Sequence, residues 1–236
     1  MSPTDAPFRH FHEQLTALNR RLLEMSERAE ALVELAVDAL LSKDQEKAQA
    51  VIDADHTLDT MEVELEAAAL ELLALQQPMA RDLRFIVSTI KVTSDLERVG
   101  DHAVNIAQAA LRLISQRTNI TPDPEIEDMA RRARAMLSDA ISAFLRADGA
   151  LGRDVCSRDD AVDALHESMF RILLTHMMAD PRTINPSLEY LLVSRNLERV
   201  ADLATNISED AVFLAEGKNI KHGGGEAARA GTFTSS

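Results

Sequence analysis

Residues 95–107 read DLERVGDHAVNIA, and residues 196–208 read NLERVADLATNIS. The two align without a gap: Leu96/Leu197, Glu97/Glu198, Arg98/Arg199, Val99/Val200, Asp101/Asp202, Ala103/Ala204, Asn105/Asn206 and Ile106/Ile207 are identical, each pair 101 residues apart. Such agreement within one chain points to a duplicated unit. At about 100° per residue, Glu97 and Asp101 project in the same direction as Leu83, Ile86, Ile90 and Val104, so the acidic pair emerges from an otherwise apolar helical strip.

Outward from this motif the chain reads as helix throughout. Leu15, Leu18, Leu22, Met25, Ala29, Leu32, Val33, Ala36 and Leu40 recur at three- and four-residue steps and predict a first helix over 8–42. Asp44 is placed to cap a second helix ending near Gln76, where Pro78 breaks the pattern. A third helix over 79–117 leads into Thr121-Pro122-Asp123-Pro124, with Asp123 as a cap and Pro124 at the first helical position; this segment marks the boundary between halves. Further helices are predicted over 125–145, 150–178 and, capped by Asn185, 186–216. The second helices also correspond, with Asp55 and Asp59 lying 104 residues before Asp159 and Asp163. The expected fold is therefore all-α: two tandem, sequence-related three-helix bundles, 1–120 and 121–218, built from six long helices. A tail over 219–236, rich in Gly, Ala, Ser and Thr, has no apolar face to bury and is expected to be disordered.

Composition agrees. The chain has 236 residues, of which 46% are hydrophobic, enough for a substantial core, while 8 Gly and 7 Pro are few for the turns of an all-β fold. The formal net charge of −14 gives a field of the wrong sign for nucleic-acid phosphates and favours cations and basic protein surfaces. Cys156 is the one cysteine, so no intrachain disulfide can form, and it reads as a small apolar residue rather than a nucleophile. No basic-then-apolar leader opens the sequence, and apolar stretches such as 65–75 are interrupted by Glu66 and Glu71. A cytoplasmic protein that meets membranes only through partners is expected.

The chemical signal is the carboxylates. Each half carries two acidic pairs at i, i+4: Asp55/Asp59 and Glu97/Asp101, then Asp159/Asp163 and Glu198/Asp202. Each pair shares a helix face and costs an isolated helix roughly 0.2–0.5 kcal/mol, so its repetition in register calls for a compensating cation. Convergence of two pairs from antiparallel neighbours would supply four oxygen donors of the kind that suit Mg, Mn, Ca or iron. Asn105, Asn206 and Glu209 continue these faces and would extend or orient the ligand set. Against this stands a plain helical scaffold with solvated acids, Arg98 and Arg199 lying near in sequence. A carboxylate-bridged di- or multinuclear metalloenzyme is the other alternative, but the Glu-x-x-His of di-iron bundles is absent from the sequence. Asp53-x-x-His56 and Asp163-x-x-His166 lie 110 residues apart, out of register with the duplication, so both histidines read as incidental. The chain shows no Ser/His/Asp pattern, P-loop or Gly-rich phosphate cradle, and no catalytic residues are assigned.

DLERVGDHAVNIA and NLERVADLATNIS, with DADHTLD at 53–59 and SRDDAVD at 157–163, closely resemble the PhoU family of phosphate-signalling regulators. The resemblance covers 8–222, and its specificity lies in the duplicated E/D-x-x-x-D motif. It implies divalent or trivalent metals, multinuclear iron clusters in some members, held by Asp55, Asp59, Glu97 and Asp101 in one bundle and Asp159, Asp163, Glu198 and Asp202 in the other. It also implies a non-enzymatic, cytoplasmic role: negative regulation of the phosphate regulon by an adaptor between the ATP-binding subunit of the high-affinity phosphate transporter and the phosphate-sensing histidine kinase, commonly as a homodimer. His102 becomes Leu203 and Gly100 becomes Ala201 between the halves, so the two sites are expected to be inequivalent.

Overall fold

A computed structural model describes residues 5–76, 78–116 and 124–220. Among them there is no strand. The first half folds as α1 (Asp5–Ser42), α2 (Gln45–Gln76) and α3 (Ala80–Ser115). The second folds as α4 (Pro124–Arg146), α5 (Gly149–Cys156), α6 (Asp159–Ala179), a single 3-10 turn (Pro181–Thr183) and α7 (Ile184–Glu216). Pro124 opens α4 as its sequence context predicts. The expected Asp123 cap and the tail from residue 221 lie outside the described residues.

The duplication extends to backbone detail. α1 and α4 both end in a residue with positive φ, Lys43 at 54° and Ala147 at 52°, exactly one repeat apart in register. Each is followed by an aspartate whose N–H reaches back five residues, Asp44 to Ala39 O at 3.0 Å and Asp148 to Ala143 O at 2.8 Å, the closure of a Schellman end. Each aspartate then starts the next helix. Asp44 Oδ1 accepts from the N–H groups of Glu46 and Lys47 at 2.9 and 3.1 Å, and Asp148 Oδ1 from those of Ala150 and Leu151, both at 3.0 Å.

Two boundaries differ from the sequence reading. The single helix expected over 150–178 is two, because the Ser157 hydroxyl donates to Asp154 O at 2.7 Å. That is the carbonyl an α-helical Arg158 N–H would use. The Arg158 N–H bonds Val155 O instead, at 2.9 Å, and the Arg158 guanidinium is drawn to Asp139 on α4 at 2.6 Å. The register survives this tightened turn, so α5 and α6 together occupy the place of α2. Asn185 does not cap the last helix. Asp180 instead caps the 3-10 turn begun by Pro181, accepting from the Arg182 N–H at 3.0 Å, and that turn runs directly into α7, whose own N-cap, Thr183, makes no side-chain capping bond.

Each bundle packs its three layers around its own seam, but the buried side chains form one continuous core. Between bundles the principal contact is α3 against α7, while α2 and α6 lie on the flanks and α1 meets α4 more lightly. Lys91 reaches Asp210, His102 reaches Asn196 and Arg112 reaches Glu189. Ascending numbers on α3 meet descending numbers on α7, so the two are antiparallel, with the paired motifs near the centre, where Val99, Gly100, Val200 and Ala201 are all buried. Phe85 on α3 stacks on Phe144 of α4 with centroids 5.9 Å apart. Among the described residues, no helix is long and apolar enough to cross a membrane.

Candidate metal centre

The seam that α2 presents to α3 has a seven-residue repeat. Val51, Leu58, Leu65 and Leu72 are buried at one set of positions, and Ala48 and Ala69 are buried at a second set. Between those alanines, at the same seven-residue spacing, stand Asp55 and Glu62. Carboxylates thus occupy places that the packing pattern reserves for small apolar residues. In the second half the equivalent row is Gly152, Asp159, His166 and Leu173, beside Val155, Val162 and Met169. Glycine, leucine and the three apolar neighbours are buried, while Asp159 and His166 are half-buried.

In the first bundle Asp55, Asp59 and Glu62 on α2 face Glu97 and Asp101 on α3. Burial is the largest influence on Glu97 and pushes its carboxyl from 4.5 up to about 7, with further upward pressure from Asp101, Glu62, Asp59 and Asp55. Asp55 is raised as well, first by burial and then by Asp59 and Asp101. Gly100 allows this approach: a Cβ there would lie 2.5 Å from Leu58 Cδ1 and 3.9 Å from Asp55 Oδ1. His56 stands at the exposed rim of this cluster, its side chain 91% exposed and its Nδ1 3.8 Å from Asp59 Oδ2, and it opposes the rise at Asp55.

The second bundle repeats the arrangement with changes. Asp159, again chiefly through burial and then through Asp163 and Asp202, is pushed from 3.8 up to about 6. Asp163 is raised by burial, by Asp202 and by Asp160, and His166 opposes the shift. The Thr205 hydroxyl beside Asp159 opposes the rise there, and both it and Asp159 Oδ1 are buried away from solvent. Asp202 also meets the Arg199 guanidinium at 2.8 Å. Burial together with the charges of Glu209 and Asp159 pushes the Cys156 thiol up to about 11, which makes it inert rather than nucleophilic.

Of the eight aspartates and glutamates expected from the sequence, Asp55, Glu97, Asp159, Glu198 and Asp202 are half-buried, whereas Asp59, Asp101 and Asp163 are exposed beside them. Glu209 lies on the second side, within reach of Cys156, and Asn206 is half-buried one turn beyond Asp202. Asn105 turns elsewhere, into a groove of about 370 Å³ between α3 and α7 that it shares with His102, Arg112, Arg195, Asn196 and Arg199. Glu62 and His166 escaped the i, i+4 reading. Their signal was the seven-residue row of α2 and its counterpart 104 residues on. His166, read as incidental, belongs to the second cluster: its Nε2 is 4.0 Å from Glu198 Oε2.

Carboxylates are the donor type that oxygen-preferring cations take. Half-buried carboxylates, Glu97 and Asp159 foremost, hold raised proton affinities that a nearby positive charge would lower. Among the described residues, no three or more His, Cys, Asp or Glu side chains come together as a group that could hold a metal ion.

Fold and site together define an all-α protein of two duplicated three-helix bundles, each with an acidic cluster on its outer seam. The PhoU domain matches residues 22–110 and again 126–211, one copy per bundle. The chain belongs to the PhoU family. It is 39% identical over 217 residues to the phosphate-specific transport system accessory protein PhoU homolog of Caulobacter vibrioides, covering 92% of this chain and 94% of the relative. The corresponding homolog of Clostridium acetobutylicum is 36% identical over 211 residues, covering 89% and 96%. The crystal structure of PhoU from Pseudomonas aeruginosa superposes with a TM-score of 0.84 at 35% identity, over 88% of this chain and 100% of that one. The phosphate transport system regulatory protein PhoU from Streptococcus pneumoniae gives 0.81 at 30% identity, over 89% and 98%.

Proposed function

We propose that this protein is a cytoplasmic regulator of phosphate uptake and phosphate homeostasis. It acts as a metal-binding adaptor between the high-affinity phosphate transporter and the phosphate-sensing histidine kinase, and it holds the phosphate regulon down when phosphate is plentiful. The observation that carries the reading is the duplicated acidic cluster, in register in both halves of a chain whose relatives are named as accessory proteins of phosphate-specific transport. Those names denote accessory and regulatory proteins, which supports a role other than catalysis.

In this reading Asp55, Asp59, Glu97 and Asp101 hold one centre, and Asp159, Asp163, Glu198 and Asp202 the other. The bound ions, iron or another oxygen-preferring metal, supply positive charge that cancels the repulsion across each seam and locks α2 to α3 and α6 to α7. Partner docking then reads the set of the outer helices. An exposed apolar row of Phe170, Leu174 and Met178 on α6, with Ile184, Leu188 and Leu192 on α7, supports contact with protein partners, a second copy included.

The test pairs metal analysis with a cellular readout. The untagged protein, purified without chelators, is compared with the variant carrying Glu97→Ala, Asp101→Ala, Glu198→Ala and Asp202→Ala by elemental mass spectrometry. Both are introduced into a strain lacking its own copy, with a phosphate-starvation promoter driving a reporter. Stoichiometric metal and repression, both lost in the variant, are expected. Repression restored by the metal-free variant overturns the metal-dependent adaptor, and a wild-type protein that neither represses nor affects phosphate uptake overturns the regulator.

A further inference from the structure

The chain carries a formal net charge of −14, yet the groove between α3 and α7 is lined by three arginines, a histidine, two asparagines and a leucine, with no acidic side chain in the lining. Arg112 comes from α3, while Arg195 and Arg199 come from α7, one turn apart on the same face. Each half of the duplication thus supplies part of the lining, and the groove exists only where the two bundles are docked. Its volume of about 370 Å³ falls within the roughly 300–1,000 Å³ of small-molecule sites.

The donors are positioned but not used up. Arg112 Nε donates to both carboxylate oxygens of Glu189, at 2.8 and 2.9 Å, a contact in which neither Nη group takes part. Arg199 Nη1 donates to Asp202 Oδ2 at 2.8 Å, and its Nε and Nη2 stay out of that bond. Glu189 and Asp202 therefore steady two guanidiniums without entering the lining themselves. Arg195 and Asn105 are exposed and make no ion pair or hydrogen bond among the described residues. Asn196 ties the two walls together, its Oδ1 lying 2.9 Å from His102 Nδ1 and its Nδ2 donating to Leu192 O at 2.7 Å.

The duplication built this groove once. At the positions 101 residues away Arg112 becomes Phe213, Arg195 becomes Ser94 and Asn196 becomes Asp95, while Lys91, in the place of Leu192, is engaged by the buried Asp210. Of the three guanidiniums only that of Arg199 has a counterpart there, in Arg98.

Guanidinium forks and amide N–H groups that converge from two helices, with no carboxylate among them, form the donor set of an oxyanion site. We propose that the α3–α7 groove binds a phosphoryl anion, the oxygens of a di- or triphosphate chain, either free or carried by a nucleotide. Arg195 supplies the unpaired charge, Arg112 and Arg199 contribute their remaining N–H groups, and Asn105 adds a neutral donor. Three guanidiniums spread over two helices suit a chain of phosphoryl groups better than a single one, and a groove suits a compact anion better than an acidic protein segment. Because such a ligand touches both halves, its binding stabilises their docked arrangement. The site needs no metal on the outer seams and stands or falls apart from that reading.

The experiment uses the metal-stripped full chain at about 0.15 M salt, where exposed charges are well screened, and four proteins: wild type, Arg195→Gln, Asn105→Asp and Arg98→Gln. Binding of sodium triphosphate, orthophosphate, ATP and a glutamate-rich peptide is measured by titration calorimetry, with the melting temperature as a second readout. The wild type should bind one triphosphate at least about 10-fold more tightly than orthophosphate and melt at a higher temperature with it. Arg195→Gln breaks no ion pair and should weaken triphosphate at least about 10-fold, as should Asn105→Asp, which puts a carboxylate into the lining. Arg98→Gln removes the same charge from α3 outside the groove and should change the affinity less than about 2-fold. ATP that binds as tightly as triphosphate assigns the groove to the phosphoryl chain alone, and ATP that binds more tightly assigns it to a nucleotide; both uphold the proposal. Absence of saturable binding of triphosphate and ATP to the wild type overturns it, whatever metal the seams hold. Equal weakening by Arg195→Gln and Arg98→Gln, or binding of the acidic peptide alone, overturns it as well.

Discussion

Gly100 sits between Glu97 and Asp101 on α3, and its missing side chain sets how closely α2 approaches. A Cβ at this position would come to 2.5 Å from Leu58 Cδ1 and 3.7 Å from Leu58 Cγ. Ordinary carbon contact is about 3.5–4.0 Å, and Leu58 is only 1% exposed, so it has no solvent to swing into. Gly100→Ala should thus cost about 1–3 kcal/mol of overpacking against a gain of about 1 kcal/mol in helix propensity, for a net loss of about 1 kcal/mol. The second bundle shows the compensated form, with Ala201 at the glycine position and Val162 at the leucine position, both buried. Leu58→Val removes the clashing methyl and by itself should cost about 0.5–1.5 kcal/mol. Introduced into that background, Gly100→Ala should become stabilising by about 1 kcal/mol, giving a coupling of about 2 kcal/mol. The assay is urea unfolding of the metal-stripped protein, comparing midpoints at constant slope across the four members of the cycle. A coupling below about 0.5 kcal/mol would refute the claim that this contact sets the seam.

Three further outcomes follow from the same structure. Ala147 carries φ of 52° without being a glycine, so Ala147→Gly should stabilise the α4–α5 hairpin by about 1 kcal/mol in thermal unfolding, and a loss of stability would count against that backbone geometry. The Glu97 carboxyl is raised from 4.5 to about 7 in the folded chain, so between these values the native state holds a proton that the unfolded state has released. Stability of the metal-free protein should therefore fall as pH rises through that window and level off above it, and Glu97→Gln should flatten this part of the melting-temperature profile; an unchanged profile would contradict the assignment. Asp210 is 2% exposed, accepts from Lys91 Nζ at 3.2 Å and leaves its Oδ2 without a partner. Lys91→Met should cost about 1–3 kcal/mol by stranding that carboxylate, measurable by denaturant unfolding and largely recovered by adding Asp210→Ala.

The helices were legible because α1, α3 and α4 carry a strong amphipathic period, and the halves were legible because identity across 101 residues survives at Glu97 and Glu198. The break at Ser157–Arg158 was not, since it arises from one hydroxyl competing for a backbone carbonyl, and serine in a helical pattern gives no such warning. Asn185 looked like a cap by composition, but Asp180 and Pro181 start the turn earlier and Asn185 falls within α7. At the site the i, i+4 filter found Asp55, Asp59, Glu97 and Asp101 and passed over Glu62, which lies seven residues from Asp55 on the same seam. His166 was set aside by comparing Asp163-x-x-His166 with Asp53-x-x-His56, a pairing of motifs; comparison of positions would have matched it with Glu62.

What the duplication has kept and what it has let go divide along physical lines. The residues that match between halves by role are those the backbone dictates: a left-handed residue at 43 and 147, an aspartate at 44 and 148 that closes one helix and opens the next, small residues at 100 and 201 where helices touch. In the polar contacts between the two bundles, the match is lost. His102 hydrogen-bonds Asn196 at 2.9 Å, but the positions related to these by the repeat hold Leu203 and Asp95. Lys91 pairs with Asp210, while the related positions hold Leu192 and Ala109. An antiparallel α3–α7 pair related by a pseudo-twofold could use identical contacts twice, and a second symmetric docking would then compete with the first. Polar contacts made on one side of the axis only, buried at Asp210 and half-buried at His102, remove that degeneracy, because any register shift strands a carboxylate in the core. The same asymmetry leaves the two outer seams free to differ, as they do where Glu62 of one stands at the position of His166 in the other.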